Sequence, residues 1–154
     1  QIVGVWRPSL LERVASALGS LGVEKAWVVH GADGLDEITI AEKTHVAAYS
    51  STGAVEKFTV SPEDFGLERR RFDSFRGKDA KENAQLIRAI LQGVRTKTTS
   101  AARDLVIINA AAALHIAGIA PDLCYAASLA RESIDSGRAA SKLDALIRET
   151  NRSS

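Results

Sequence analysis

The chain has 154 residues, 45% hydrophobic and 25% charged, with 20 basic against 19 acidic side chains and no methionine. That profile supports one packed core and excludes disordered and fibrous classes. A net charge of +1 with aromatics at 5% supplies neither the field nor the stacking surface that polyanion binding draws on, so nucleic acid is not an expected partner.

A chain that lacks methionine and starts Gln1-Ile2-Val3-Gly4-Val5-Trp6 reads as part of a longer protein. From Ser9, the residues Leu10, Leu11, Val14, Leu18 and Leu21 fall on one helical face, and Gly22 is placed to close that helix in the left-handed conformation. Ala26-Trp27-Val28-Val29 is too short for a helix and β-rich in type, which predicts a strand covered on both faces and ending at His30-Gly31. Further β-prone pieces lie at 38–40, 44–49 and 55–60, the last two joined by a hairpin-like Ser50-Ser51-Thr52-Gly53.

Ser61-Pro62-Glu63-Asp64 opens a helix that Gly66 stops quickly. A polar segment from Glu68-Arg69-Arg70-Arg71-Phe72 to Arg76-Gly77-Lys78 leads to Asp79, which with Glu82 forms a capping-box-like start for a helix ending near Gly93. Leu86, Ile87, Ile90 and Leu91 supply its apolar face. Residues 101–117 read as a largely buried helix containing Asn109 and closed by Gly118; two amphipathic helices follow at 121–136 and 138–148, broken at Gly137, before a frayed end at Asn151-Arg152-Ser153-Ser154. The fold class is α/β, a central sheet flanked by helices with a helical C-terminal half and no internal domain boundary.

The single Cys124 cannot form an internal disulfide, and no apolar run approaches the length of a membrane span. A cytoplasmic protein with no membrane partner is expected. Chemistry concentrates in Val28-Val29-His30-Gly31-Ala32-Asp33-Gly34-Leu35-Asp36-Glu37, which follows the buried strand. In α/β sheets ligands gather beyond the carboxyl ends of strands. Asp33, Asp36 and Glu37 supply carboxylates there, and Mg²⁺ is commonly held by one or two carboxylates while substrate phosphates complete its shell. Asp36 and Glu37 fit that role; the alternative is a solvated turn whose aspartates bond their own backbone.

The other candidates are weaker. His30, His45 and His115 lack metal-ligand spacing, and His30 reads as a hydrogen-bonded structural residue. Cys124 in an alanine-rich helix reads as a small core hydrophobe rather than half of a Cys–His pair. The basic residues Arg69, Arg70, Arg71, Arg76 and Lys78 alternate with Glu68, Asp73 and Asp79, as on a solvated connecting face. Asn109, inside an apolar helix, calls for a buried hydrogen-bond partner. No Gly-x-Gly-x-x-Gly or Walker-type loop occurs.

The ordered set Gln1-Ile2-Val3-Gly4-Val5, the His30 to Glu37 loop, Thr59-Val60-Ser61-Pro62-Glu63-Asp64-Phe65-Gly66, Asp79-Ala80-Lys81-Glu82-Asn83-Ala84, Asn109-Ala110-Ala111-Ala112-Ala113-Leu114 and Ser136-Gly137-Arg138-Ala139 resembles the C-terminal part of the anthranilate phosphoribosyltransferase family. The resemblance implies a nucleoside phosphorylase/phosphoribosyltransferase-like catalytic α/β domain, represented by its C-terminal portion over residues 1–154. It implies transfer of phosphoribosyl from phosphoribosyl pyrophosphate to anthranilate in tryptophan biosynthesis. It also makes Asp36 and Glu37 the acidic pair that coordinates Mg²⁺. No protein nucleophile is then required.

The family's Gly-Thr-Gly-Gly-Asp loop, its Lys-His-Gly-Asn motif, its anthranilate-binding arginine and the helical domain used for homodimerisation all precede the part matched here. The missing N-terminal portion is therefore an expected partner, dimerisation does not carry over to this chain, and the 154 residues alone are expected to be inactive, with sheet edges that the other part would cover. Two rivals on the same fold stay open: a pyrimidine nucleoside phosphorylase-like enzyme and a non-catalytic nucleic-acid-binding homologue. A structural subdomain whose acidic loop binds no ion is a third.

Overall fold

The computed structural model describes residues 1–71 and 79–152. Its centre is a four-stranded sheet in the order β1-β2-β3-β4, made of β1 (Ile2–Gly4), β2 (Lys25–Gly31), β3 (Thr44–Ser50) and β4 (Val55–Val60). β1 runs parallel to β2, with Ile2 opposite Trp27 and Gly4 opposite Val29, while β2/β3 and β3/β4 are antiparallel. The α/β expectation holds, as does the hairpin at 50–53, which Gly53 N–H closes on the Ser50 carbonyl at 3.0 Å. β1 was not anticipated from the sequence.

The parallel β1/β2 pair is bridged by a short 3-10 turn, Pro8–Leu10, and by α1 (Leu11–Ser20), so the chain opens with a βαβ unit. α1 lays Leu11 and Ala15 on Val28 and Ala47, with Val5 completing that cluster. The opposite face presents Val29 and Val46 to Ile107, Ile108, Ala111 and Ala112. Alternate side chains of β2 thus enter two separate cores, which is why its apolar run is continuous. Leu21, expected on the apolar face of α1, is 82% exposed because the helix ends at Ser20 and the chain turns outward through Gly22, φ 86°.

Residues 38–40 are not a strand. Ile38, Thr39 and Ile40 are buried in an irregular loop, and their polar backbone is satisfied from elsewhere: Ile38 N–H by the Asn109 side chain, Thr39 N–H by Thr44 Oγ1, and the Ile40 carbonyl by Arg70 N–H. Their hydrophobicity recorded burial, not a β ladder. Beyond β4, Ser61 and Asp64 form a capping box at the 3-10 turn Pro62–Phe65, and Gly66 ends it.

The helical half comprises α2 (Ala80–Leu91), α3 (Lys97–Ile116), α4 (Leu123–Asp135) and α5 (Arg138–Thr150). Asp79 caps α2 by accepting from Glu82 N–H at 2.8 Å, as expected. Ile90 is buried on α2, whereas Ile87 is half exposed. α3 begins earlier than residue 101 because Thr96 and Thr99 cap one another's backbone amides. Its small residues Ala101, Ala111 and Ala112 are buried against α4, which contributes Ala126, Ala127 and Ala130 to the same core. Of the polar segment and frayed end anticipated above, Phe72, Asp73, Arg76, Gly77, Lys78, Ser153 and Ser154 lie outside the described residues.

Candidate functional site

The acidic loop leaves the carboxyl end of β2 and folds back at once. Gly31 N–H donates to the Leu35 carbonyl at 2.8 Å, and Ala32 N–H to that of Lys43 at 2.8 Å. Within this turn Asp33 is spent on structure: Oδ2 accepts from Thr39 Oγ1 at 2.6 Å and Oδ1 faces the Leu35 amide at 3.4 Å. The alternative of a turn-forming aspartate is therefore correct for Asp33. Among the described residues neither the Asp36 nor the Glu37 carboxylate accepts a backbone amide. Asp36 and Glu37 are exposed, and among the described residues the Asp36 carboxylate makes no hydrogen bond or ion pair.

Two contacts fix where that pair sits. Gly4, the last residue of β1, lies so close to the loop that a Cβ added there would land on the Asp36 carbonyl oxygen. On the other side, Asn109 of α3 meets the loop edge-on: Oδ1 accepts from Ile38 N–H at 3.0 Å, and Nδ2 donates to the Ile38 carbonyl at 3.0 Å. Nδ2 also reaches the Leu105 carbonyl at 3.0 Å and Glu37 Oε2 at 3.4 Å. The buried partner that the sequence required for Asn109 is thus the acidic loop itself.

The electrostatics suit a cation. Partial burial pushes the Glu37 carboxyl above the usual glutamate range, and the adjacent Asp36 charge pushes it further. Two like charges on consecutive residues at the edge of the protein would be relieved by a positive ion. Two oxygen donors are fewer than Mg²⁺ takes, and among the described residues no group of three His, Cys, Asp or Glu could hold a metal. The donor set therefore fits a metal that arrives with, or is completed by, water and a phosphate-bearing ligand.

The remaining candidates are accounted for by structure. His30 is 7% exposed and its Nδ1 lies 2.8 Å from the Val5 carbonyl oxygen; a carbonyl only accepts, so Nδ1 carries the proton. His115 Nδ1 is 3.1 Å from the Ala120 carbonyl oxygen, and its ring stands edge-on to Trp27. Cys124 is exposed rather than packed in the core, because it sits on the outer side of α4, where Sγ faces the Asp64 carbonyl at 3.5 Å.

Of the basic run, expected as a solvated connecting face, the described Arg69 and Arg70 pair with acids outside the run. Arg69 bonds Glu63 at 2.8 Å, and Arg70 Nε lies 2.9 Å from Asp104. Burial pushes the Asp104 carboxyl up, against the opposing influence of Arg70, Arg131, Arg103 and Arg95. An apolar cavity of about 570 Å³, bordered by Leu91, Val106, Leu114, Leu129 and Ile134, lies between the helices; none of the acidic-loop residues lines it.

A family model described as "Glycosyl transferase family, a/b domain" matches residues 1–140. The chain belongs to this glycosyl transferase family. Among curated relatives, the anthranilate phosphoribosyltransferase of Rhodospirillum rubrum is 46% identical over 147 residues, covering 96% of this chain and 41% of that protein. The one from Moorella thermoacetica is 48% identical over 147 residues, covering 96% and 42%. The chain therefore spans about two fifths of the length of the glycosyl transferase relatives it matches.

Solved structures agree. Anthranilate phosphoribosyltransferase from Saccharomyces cerevisiae in complex with PRPP and Mg superposes with a TM-score of 0.81 at 28% identity, covering 93% of this chain and 40% of that one. The enzyme from Thermus thermophilus gives 0.78 at 33% identity, covering 92% and 40%. No helix among the described residues is long and apolar enough to cross a membrane.

Sequence reasoning missed one member of this site. Gly4 was read only as part of an opening motif, and its role is visible only once β1 is placed beside the loop. A signal did exist for Asn109, a lone amide in an apolar helix, but its partner lies 71 residues away at Ile38.

Proposed function

We propose that this chain is the metal-carrying portion of an anthranilate phosphoribosyltransferase. Within the whole protein it serves transfer of the phosphoribosyl group of phosphoribosyl pyrophosphate to the amino nitrogen of anthranilate, with release of pyrophosphate, in tryptophan biosynthesis. One observation carries the reading: the exposed Asp36 and Glu37 carboxylates, held outside the carboxyl ends of the parallel β1/β2 pair, in a chain whose relatives bear that name. The carboxyl ends of parallel strands are where ligands of α/β sheets collect.

In this reaction the anomeric carbon–oxygen bond breaks, a carbon–nitrogen bond forms to the amine, the electron pair leaves with pyrophosphate, and the amine nitrogen gives up one proton. Carboxylates alone would repel that leaving group. Asp36 and Glu37 are instead the residues that would hold Mg²⁺, which when bound supplies positive charge against the pyrophosphate oxygens. Thr39 keeps Asp33 occupied, so the pair and not a trio faces the substrate. The attacking group is the substrate's own amine, so the lack of a role for His30 or Cys124 agrees with the chemistry.

The contacts to anthranilate and to the ribose come from the remainder of the protein, which this reading makes the chain's obligate partner. The family's homodimer belongs to that remainder, and a cytoplasmic location follows from the pathway. Replacing the matching segment of the Rhodospirillum rubrum relative by this chain is expected to preserve Mg²⁺-dependent conversion of anthranilate and phosphoribosyl pyrophosphate, while residues 1–154 alone give no turnover. A folded chimera that leaves anthranilate untouched, or turnover by the isolated chain, contradicts the proposal.

A further inference from the structure

Asn109 does more than satisfy itself. A side-chain amide offers two N–H donors and one carbonyl, and here a single residue of α3 takes both backbone polar groups of Ile38, the residue that follows the acidic pair. Ile38 is buried in a loop with no strand ladder to supply those bonds. The position of Glu37 along the loop therefore depends on a helix residue 72 positions away, whose Nδ2 also lies 3.4 Å from the Glu37 carboxylate.

The alternative tethers would work less well. An apolar residue at 109 would leave the Ile38 amide and carbonyl buried without partners. A lysine or arginine would orient Glu37 but neutralise it, competing with a cation for the same oxygen. A neutral amide whose two N–H donors serve the Ile38 and Leu105 carbonyls at 3.0 Å can sit 3.4 Å from one Glu37 oxygen without cancelling the charge of the pair. Asp33 and Thr39 tie the two sides of the loop together at 2.6 Å, and Thr44 and Arg70 hold Thr39 and Ile40; Asn109 is the side chain that holds Ile38, directly beside Glu37.

We propose that Asn109 is a positioning residue of the acidic site, holding Glu37 and Ile38 so that the Asp36–Glu37 pair faces one cation. The inference rests on the metal reading of that pair given above. Its partners make it a hydrogen-bonded orienter of a ligand, a type of residue whose loss typically weakens metal affinity by about 10–100-fold.

The test uses the whole protein carrying this segment, with Mn²⁺ plus inorganic pyrophosphate as the probe and affinity read by calorimetry. Asn109→Leu, which keeps the branched shape and removes every side-chain hydrogen bond, is expected to bind the probe about 10–100-fold more weakly while circular dichroism stays that of a folded protein. A folded variant with unchanged affinity overturns the proposal and gives Asn109 a purely structural role.

If Asn109→Leu does not fold, nuclear magnetic resonance of the unsubstituted protein decides. Mg²⁺ with pyrophosphate is expected to shift both the Asn109 side-chain amide and the Ile38 backbone amide, and the Ile38 amide is expected to exchange slowly with solvent. A fast-exchanging Ile38 amide, or no shift at either signal, overturns it. Failure of the metal reading looks different: the unsubstituted protein then binds no Mn²⁺, and the positioning role falls with it.

Discussion

Gly4→Ala is expected to damage the acidic site more than any other single methyl group added to the chain. The new Cβ would occupy the place of the Asp36 carbonyl oxygen, which is backbone and has no side-chain rotamer to escape into. Either β1 must leave its register with β2 or the loop must move outward. Overpacking of this kind costs about 1–3 kcal/mol of stability. The functional loss is larger, because a misplacement of about 1 Å at a reacting centre can cost on the order of 10²-fold in rate. Urea unfolding of the variant, together with phosphoribosyl transfer in the chimera, reads both effects. Wild-type transfer by Gly4→Ala would show that the loop does not need its seat on β1.

Asp135→Ala should be strongly destabilising, although it lies away from that site. Arg103 is 4% exposed, and its Nη2 donates to Asp135 Oδ1 at 2.7 Å. Among the described residues Arg103 Nε is a buried polar atom with no partner, and the other carboxylate that feels Arg103, Asp104, is already engaged by Arg70 at 2.9 Å. The exposed Arg95, 3.5 Å from the same oxygen, can turn to solvent when Asp135 is lost, but Arg103 cannot.

Removing one member of a buried ion pair typically costs about 3–5 kcal/mol, whereas replacing the buried charge by an apolar residue of similar volume is often close to neutral. Asp135 is itself half exposed, which places the expected loss near the lower bound, still a large share of the roughly 5–15 kcal/mol that holds a domain folded. Arg103→Met is the contrasting variant and should lose less. Equal losses in the two, measured by denaturant unfolding, would mean that the pair rather than the stranded charge is what matters.

Much of this architecture was legible in the residues because local signals and tertiary context agreed. The continuous Ala26–Val29 run announced a strand with two covered faces, and the structure buries its alternate side chains in two cores. Asp79 announced the start of α2 through a bond to a residue three positions on. What escaped depends on partners distant in sequence. β1 is three residues long and becomes a strand only by pairing with residues 25 positions later.

Residues 38–40 had the apolar character of a strand but take their hydrogen bonds from Asn109, Thr44 and Arg70, none of which periodicity can anticipate. Cys124 had the neighbours of a core residue and the wrong side of its helix. The site divides in the same way. Three carboxylates were visible as a cluster, yet only the Thr39 hydroxyl, which occupies Asp33, separates the structural aspartate from the available pair.

Asp36 and Glu37 are proposed to form a cation site that works together with a pyrophosphate group. Calorimetric titration of Mg²⁺ into the whole protein with phosphoribosyl pyrophosphate present, repeated for Asp36→Asn combined with Glu37→Gln, tests it most directly. Saturable binding is expected for the unsubstituted protein; losing the ligands themselves in the double variant should weaken it at least as much as the roughly 10–100-fold typical of losing a residue that orients a ligand, with the fold unchanged because neither side chain is buried in the core. Equal Mg²⁺ binding by the two folded proteins would contradict it.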